Sequence, residues 1–388
     1  MRAARRRSSY DVVVVGAGVV GLACGWRAAQ RGMSVLVLDR DHPAAGASGV
    51  AAGMLAPVTE AEFGAEALLA LNLEGAARWP AFQRELADRC GTGVGYRESG
   101  ALVVAIDRDD VEELRRLHAF QSTLGLAAEW LAARECRRLE PALAPGIAAG
   151  VFAPQDHQVD PRALTSALAI ALERDGGELA SGVEVRSITA HDGCVTGVRT
   201  VSSGDIFATN VVIAAGCWSG GVVGRAPEDV PPVRPVKGQI LTLRGRSARP
   251  QFEHIVRTLR CYIVSRTDGR VAVGATVEER GFDSSVRVEG VHGLLEAARE
   301  VLPDVGELEF VGARAGLRPG TPDNGPLIGR GSLEGVVWAT GHYRNGVLLA
   351  PLTADAVAET LVSGAPLAAV AAFSPSRFGP TRPALQPS

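Results

Sequence analysis

The sequence predicts an α/β unit joined to an α+β unit, and three observations carry that expectation. Residues 10–40, YDVVVVGAGVVGLACGWRAAQRGMSVLVLDR, read as strand, glycine turn, helix and second strand. Residues 237–315 hold short apolar runs at strand spacing with one helix between them, the pattern of a mostly antiparallel sheet. Residues 335–361 repeat a strand, a glycine turn and a helix, far downstream of the first set. A chain of 388 residues is long enough for two cores.

Each part of the opening stretch has a physical job. Residues 12–15 form a β-branched run. Gly16, Gly18 and Gly21 follow in the spacing G-x-G-x-x-G. Gly16 permits the tight turn, Gly18 lets backbone approach a pyrophosphate, and Gly21 lets helix and strand pack closely. The free N–H groups at the helix start face the anion. Residues 19–30 have helical spacing, and residues 34–38 form a second apolar run closed by Asp39. A carboxylate there, eighteen residues after Gly21, suits the hydroxyls of a ribose. Strand, turn, helix, strand and acid together point to dinucleotide binding. They do not say which dinucleotide.

Downstream, residues 44–57 (AAGASGVAAGMLAP) make a small-residue loop whose backbone can approach a ligand. Helical material is expected over 62–90, 109–123 and 134–139, and a strand over 100–106. His157 reads as a core or surface histidine, not a catalytic one. A proline at its first position marks a helix at 161–174. Strands are expected at 178–188, 195–201 and 210–213, the last ending in Ala214, Ala215 and Gly216, another strand end suited to a nucleotide site. The run VPPVRP at 230–235 is a candidate domain boundary. Beyond it come strands at 237–243, 262–266, 270–274 and 307–315, and a helix at 288–302. The glycine-rich stretch 316–329 leads to a strand at 335–340, the turn GHYRNG at 341–346 and a helix at 347–361. So late a glycine turn suits the far end of a long cofactor such as FAD better than a compact nicotinamide site.

Composition excludes several classes. A net charge of −3 argues against a nucleic-acid surface. No apolar run approaches the roughly 20 residues of a membrane span. The cluster Arg2, Arg5, Arg6 and Arg7 has no apolar stretch after it, so it reads as a disordered extension and not a secretory signal. Six scattered cysteines without a C-x-x-C pair suit a reducing cytoplasm. There is no Ser/His/Asp arrangement, no pair of acid/base carboxylates and no metal-ligand cluster. That absence fits a redox enzyme whose cofactor does the hard step while the protein binds and orients. Arg318, in A-G-L-R-P-G-T at a strand end, and Arg344, in the late turn, are candidate carboxylate anchors, since a guanidinium grips a carboxylate through two parallel bonds. On the residues alone the alternative for each is half of a surface ion pair, which the flanking Gly and Pro disfavour, and Arg344 could instead support its turn. Tyr262 reads either as a donor to the same carboxylate or as a core tyrosine. His342 is the histidine expected beside the cofactor.

The stretches VVVVGAGVVGL, ASGVAAGMLAP, PVKGQILTL, CYIVSRTDGRVAVGATVE, AGLRPGTPDNGPLIG and GHYRNGVLLAP, spread over 10–361, carry a family resemblance. The sequence resembles the glycine oxidase (thiamine-pathway) branch of the D-amino-acid-oxidase-like flavoproteins. The resemblance implies a Rossmann-like FAD domain built from 8–58, 145–228 and 316–365, and a substrate domain with a large mostly antiparallel sheet from 59–144 and 229–315. Residues 1–7 and 372–388 are left as disordered tails. It implies cofactor contacts at Gly16, Gly18, Val19, Val20, Gly21, Asp39, Arg40, Ala47, Ser48, Ala52, Gly53, Met54, Val183 and Gly216, and at His342, Tyr343, Arg344, Asn345, Gly346, Val347 and Leu348. Arg318, Tyr262 and Arg344 match the family's catalytic and carboxylate-holding positions, with Met54 also at the substrate.

The implied reaction is hydride transfer from glycine, sarcosine or a small D-amino acid to FAD. The imine gives glyoxylate and ammonia or enters thiazole synthesis, and dioxygen becomes hydrogen peroxide. The alternative is a D-amino-acid or proline-type dehydrogenase that passes electrons to a quinone. Arg260 and Val277 stand where some relatives carry histidine and methionine. No cysteine lies in 316–323, where sarcosine oxidases attach FAD, so the cofactor is expected to be non-covalent. Relatives are often homotetramers.

Overall fold

A computed structural model of the chain describes residues 7–222 and 230–379. The expected tails at 1–6 and 380–388 lie outside the described residues. Two eight-stranded sheets organise the fold. The first runs Leu327–Arg330, Val336–Thr340, Asp205–Ile213, Ser9–Val15, Val35–Leu38 and Glu178–Ala180, with Cys194–Thr200 and Val185–His191 added antiparallel beside Asp205–Ile213. Its central strands, parallel and buried on both faces, are near-continuous Val, Ile and Leu, as a sheet covered on both sides requires. Helices Val19–Gln30, Pro161–Arg174 and Ala350–Ser363 cover one face. The second sheet runs Glu309–Gly320, Arg234–Arg244, Arg270–Gly274, Tyr262–Ser265, Ile255–Arg257, Ala101–Ala105, Ala149–Ala153 and Glu129–Ala132, almost all antiparallel. Helix Val288–Val301 packs against its own core.

The opening strand–helix–strand unit forms as read, with helix Val19–Gln30 at the expected bounds. Several expectations need correction. The strand expected over 178–188 is two strands, because the chain turns at Gly182 and there donates two N–H groups, from Gly182 to Asp41 O and from Val183 to Asp39 O. Strand Ala149–Ala153 lies in the second sheet, not the nucleotide-binding half. Helix Glu66–Cys90 goes the other way: Leu71, Trp79, Phe82 and Leu86 fill the first core. The strand expected to stop at 315 continues to Gly320, so Arg318 sits inside a paired strand opposite Val236. Strands Leu327–Arg330, Ile255–Arg257 and Glu129–Ala132 have no counterpart among the expected elements.

The last helix starts at Ala350, later than expected. Pro351 has no N–H for the carbonyl of Val347, which takes that of Ala350 at 3.2 Å and leaves 347–349 as a turn. Residues 372–379, expected to be loose, are helical turns. Phe373 and Pro375 are buried there, and Arg377 grips Asp323 at 2.8 Å.

Candidate active site

A cavity of about 880 Å³ runs from the first glycine turn to the face of the second sheet. That is near the top of the range for a small-molecule site, roughly 300–1,000 Å³. At one end lies the turn after Ser9–Val15. Gly16 has φ +110°, and a Cβ there would run into the carbonyl of Ala214. Asp39 is set by two backbone donors: Ala17 N–H reaches one carboxylate oxygen at 2.7 Å and Asp41 N–H the other at 2.9 Å. Ser48 Oγ accepts Val19 N–H at 3.0 Å. The N–H groups of Gly18 and Val20, both on the cavity wall, have no acceptor among the described residues. These are the unspent donors a pyrophosphate needs. The Arg40 guanidinium stacks on Trp218, 4.2 Å from the ring centroid.

At mid-cavity the late turn 341–346 supplies a second set of donors. The N–H groups of Gly346 and of Val347 just after it, both on the cavity wall, also meet no acceptor among the described residues. Trp79 Nε1 donates to Leu348 O at 2.9 Å and fixes this turn on the first core. Burial pushes the His342 imidazole down to about 3, so it is neutral near pH 7, with Nε2 2.9 Å from Thr353 Oγ1.

The far end lies on the second sheet. Arg318 reaches over Gly238, where a Cβ would collide with the guanidinium, and donates to Thr276 O at 3.1 Å and Lys237 O at 3.3 Å. Among the described residues no carboxylate pairs with it. Tyr262 lies beside it on the wall, and its hydroxyl has no hydrogen-bond partner among the described residues. Burial raises the Tyr262 phenol, opposed by the charges of Arg318 and Arg344. Arg344 is already engaged, since its Nη2 pairs with Glu60 Oε1 at 2.7 Å. Arg257 joins the same carboxylate at 3.3 Å. Burial pushes the Glu60 carboxyl up, but Arg344 and Arg257 outweigh it and hold it below its usual range.

Of the residues singled out from sequence, Gly16, Gly18, Val19, Val20, Asp39, Arg40, Ala47, Ser48, Ala52, Gly53, Met54, Val183, Gly216, Tyr262, Arg318, His342, Tyr343, Arg344, Gly346 and Val347 line this one cavity. Gly21, Asn345 and Leu348 do not. A Cβ on Gly21 would meet Gly16 O, Asn345 N–H closes the turn on His342 O, and the Leu348 side chain belongs to the core. The reading missed Thr59, Glu60, Gly238 and Arg257 on the same wall. Glu60 was one acid among several at a helix approach, and Arg257 lay in a strand too short to detect. No local signal marks either.

Comparison with known proteins decides the family. The family model described as FAD dependent oxidoreductase matches residues 11–360. The chain belongs to that family. This FAD-dependent oxidoreductase is 35% identical to a glycine oxidase of Geobacillus kaustophilus (strain HTA426), over 90% of its own length and 92% of the relative's. It superposes on a crystal structure of glycine oxidase from Geobacillus kaustophilus with a TM-score of 0.88, covering 95% of this chain and 99% of that one. It is also 35% identical to a bifunctional protein ThiO/ThiG of Trichormus variabilis (strain ATCC 29413 / PCC 7937), over 95% of this chain but 55% of that longer protein. The resemblance to the glycine oxidase branch therefore holds across nearly the whole oxidoreductase. The donor sets at both glycine turns, the anchored Asp39 and the small-residue wall fit the diphosphate, ribose and ring system of FAD. Among the described residues no His/Cys/Asp/Glu group suits a metal ion, and no single helix is long and apolar enough to cross a membrane.

Proposed function

We propose that this oxidoreductase oxidises glycine, or a close relative such as sarcosine or a small D-amino acid, with dioxygen as acceptor. The observation that carries the reading is the pairing of Arg318 with Tyr262. Among the described residues one is a cation with no carboxylate at ion-pair distance and the other a phenol with no hydrogen-bond partner, and both lie on the cavity wall. A bidentate guanidinium and a phenol are what a small substrate's carboxylate needs. When bound, FAD supplies the redox chemistry, accepting two electrons and a hydrogen from the amine's α-carbon and delivering the electrons to dioxygen.

The chain's own groups bind and orient. Arg318 is stiffened by the carbonyls of Lys237 and Thr276 and holds the carboxylate, with Tyr262 steering it from the side. The N–H groups of Gly346 and Val347 face the cavity as fixed donors for negative charge on the cofactor ring. No side-chain base is required if the amine enters deprotonated. His342, neutral and held by Thr353, stays out of proton transfer. We take FAD to be non-covalent, because residues 316–323 hold no cysteine. We take the compartment to be the cytoplasm, since all six cysteines are free thiols.

The test is an anaerobic screen of the purified holoprotein. Glycine or sarcosine should bleach the flavin absorbance, and admission of air should restore it with hydrogen peroxide formed. A flavin that stays oxidised with glycine, sarcosine, D-alanine and D-proline alike would overturn the reading. Bleaching without peroxide in air would replace the oxidase with a quinone-linked dehydrogenase.

A further inference from the structure

The substrate end of the cavity holds more positive charge than one carboxylate needs. In the antiparallel pair of Ile255–Arg257 with Tyr262–Ser265, Arg257 stands directly opposite Tyr262. Directly opposed residues leave the same face of a sheet, so the Arg257 side chain joins Tyr262 on the cavity wall. Arg344 reaches the same space from the late turn. Their two guanidiniums converge on one atom, Glu60 Oε1, at 3.3 and 2.7 Å. Arg257 is braced from behind: its Nη1 donates to Thr59 Oγ1 at 2.9 Å, and the Thr59 hydroxyl donates to Asp156 at 2.7 Å. Asp156 also receives Val58 and Thr59 N–H, so the turn carrying Glu60 is fixed as well. Burial pushes the Asp156 carboxyl up to about 6, against those hydrogen bonds.

A carboxylate gripped by two guanidiniums is how a protein holds an acidic ligand. Here the gripped carboxylate belongs to the protein. We propose that Glu60 sets the charge of the accepted substrate: it fills the Arg257–Arg344 clamp with a resident carboxylate, so the site selects amines bearing one carboxylate over amines bearing two. Of these three guanidiniums, Arg318 is then left to receive the substrate's own acid. A second substrate carboxylate brought to the clamp meets the Glu60 charge where water screens it little. With that charge removed, the two braced guanidiniums take the second carboxylate themselves. Glu60 is thus the specificity-determining residue, and Arg257 the residue that positions and completes the clamp. The inference rests on the carboxylate-anchor reading of Arg318.

The test compares holoenzymes of the wild type, Glu60→Gln, Glu60→Gln/Arg257→Met and Arg257→Met. The substrates are sarcosine, with one carboxylate, and iminodiacetate, with two. Glu60→Gln should raise the iminodiacetate-to-sarcosine ratio of kcat/KM by about tenfold or more, and adding Arg257→Met should take the gain back. Two non-oxidisable ethers, methoxyacetate and oxydiacetate, read the same clamp by calorimetry without turnover. Oxydiacetate should tighten against methoxyacetate in Glu60→Gln alone. Arg257→Met by itself keeps the Glu60 charge and removes one cation, so it should lower the ratio further. That variant decides the matter if Glu60→Gln does not hold FAD. Ratios that move by less than about threefold, or a gain that survives the loss of Arg257, would overturn the assignment. Failure of the wild type to oxidise glycine or sarcosine would sink the underlying activity instead, and the ether pair would still judge the clamp.

Discussion

Arg318 owes its availability to its neighbours. Lys237, the buried cation next to it across the sheet, is matched by Glu278 at 3.4 Å and Asp283 at 3.5 Å. Arg344 and Arg257 share Glu60. Arg318 is left with backbone carbonyls, which orient a guanidinium without neutralising it. Arg318→Leu should therefore raise KM for glycine or sarcosine while the protein stays yellow. Loss of charged hydrogen bonds costs about 1.5–3 kcal/mol, roughly 10- to 150-fold in KM. Steady-state kinetics beside a flavin-to-protein absorbance ratio would show it, and an unchanged KM would refute the anchor. Gly238 belongs to the same device, since any Cβ there displaces the guanidinium.

The glycine turn is the element whose parts separate most cleanly. Gly16 sits at φ +110° against Ala214 O, so its substitution is strained before any cofactor arrives. Gly18 has φ −74° and ψ 175°, ordinary extended backbone, and a Cβ there would meet only Ser48 Oγ at 3.2 Å. Gly16→Ala should therefore destabilise the apoprotein by about 1–3 kcal/mol. Gly18→Ala should leave the apoprotein's Tm unchanged and weaken FAD alone. Thermal melts of both apoproteins, followed by FAD titration, would distinguish the two. Equal Tm losses would mean that Gly18 is also a folding requirement. The turn at 341–346 and the residues after it follow the same logic without the sequence pattern: the N–H groups of Gly346, Val347 and Leu348 precede the helix and meet no acceptor among the described residues.

At the scale of the whole molecule the two sheets are locked by buried polar contacts. Arg266, from the second sheet, is buried and donates to Gln158 Oε1 at 3.0 Å, Val159 O at 2.8 Å and Ala52 O. It thus holds the small-residue loop that forms the cavity wall. Burial lowers its guanidinium to about 10, partly offset by the charge of Asp160. Arg266→Met would strand those acceptors in a dry interior. It should cost about 3 kcal/mol of stability, seen as a Tm lower by several degrees in the apoprotein and as weaker FAD retention. An unchanged Tm would show the clamp to be dispensable. The same interlocking explains why helix Glu66–Cys90 lies in the first core although the resemblance implied the other half: Trp79 both fills that core and hydrogen-bonds the late turn.

Read alone, the sequence determined the parts whose signals are local. The strand–turn–helix–strand opening depends on β-branched runs, glycine at a position of positive φ and an acid at the strand end, all within residues 10–40. Arg318 and Arg344 were legible as candidates because their glycine-rich surroundings, and the family resemblance, marked them, and Tyr262 was marked by the resemblance. Only the tertiary structure decided which of them carries a free charge. Charge pairing depends on distances between residues far apart in the chain. Glu60 meets Arg257 and Arg344 from across the fold, and that meeting leaves Arg318 as the open anchor.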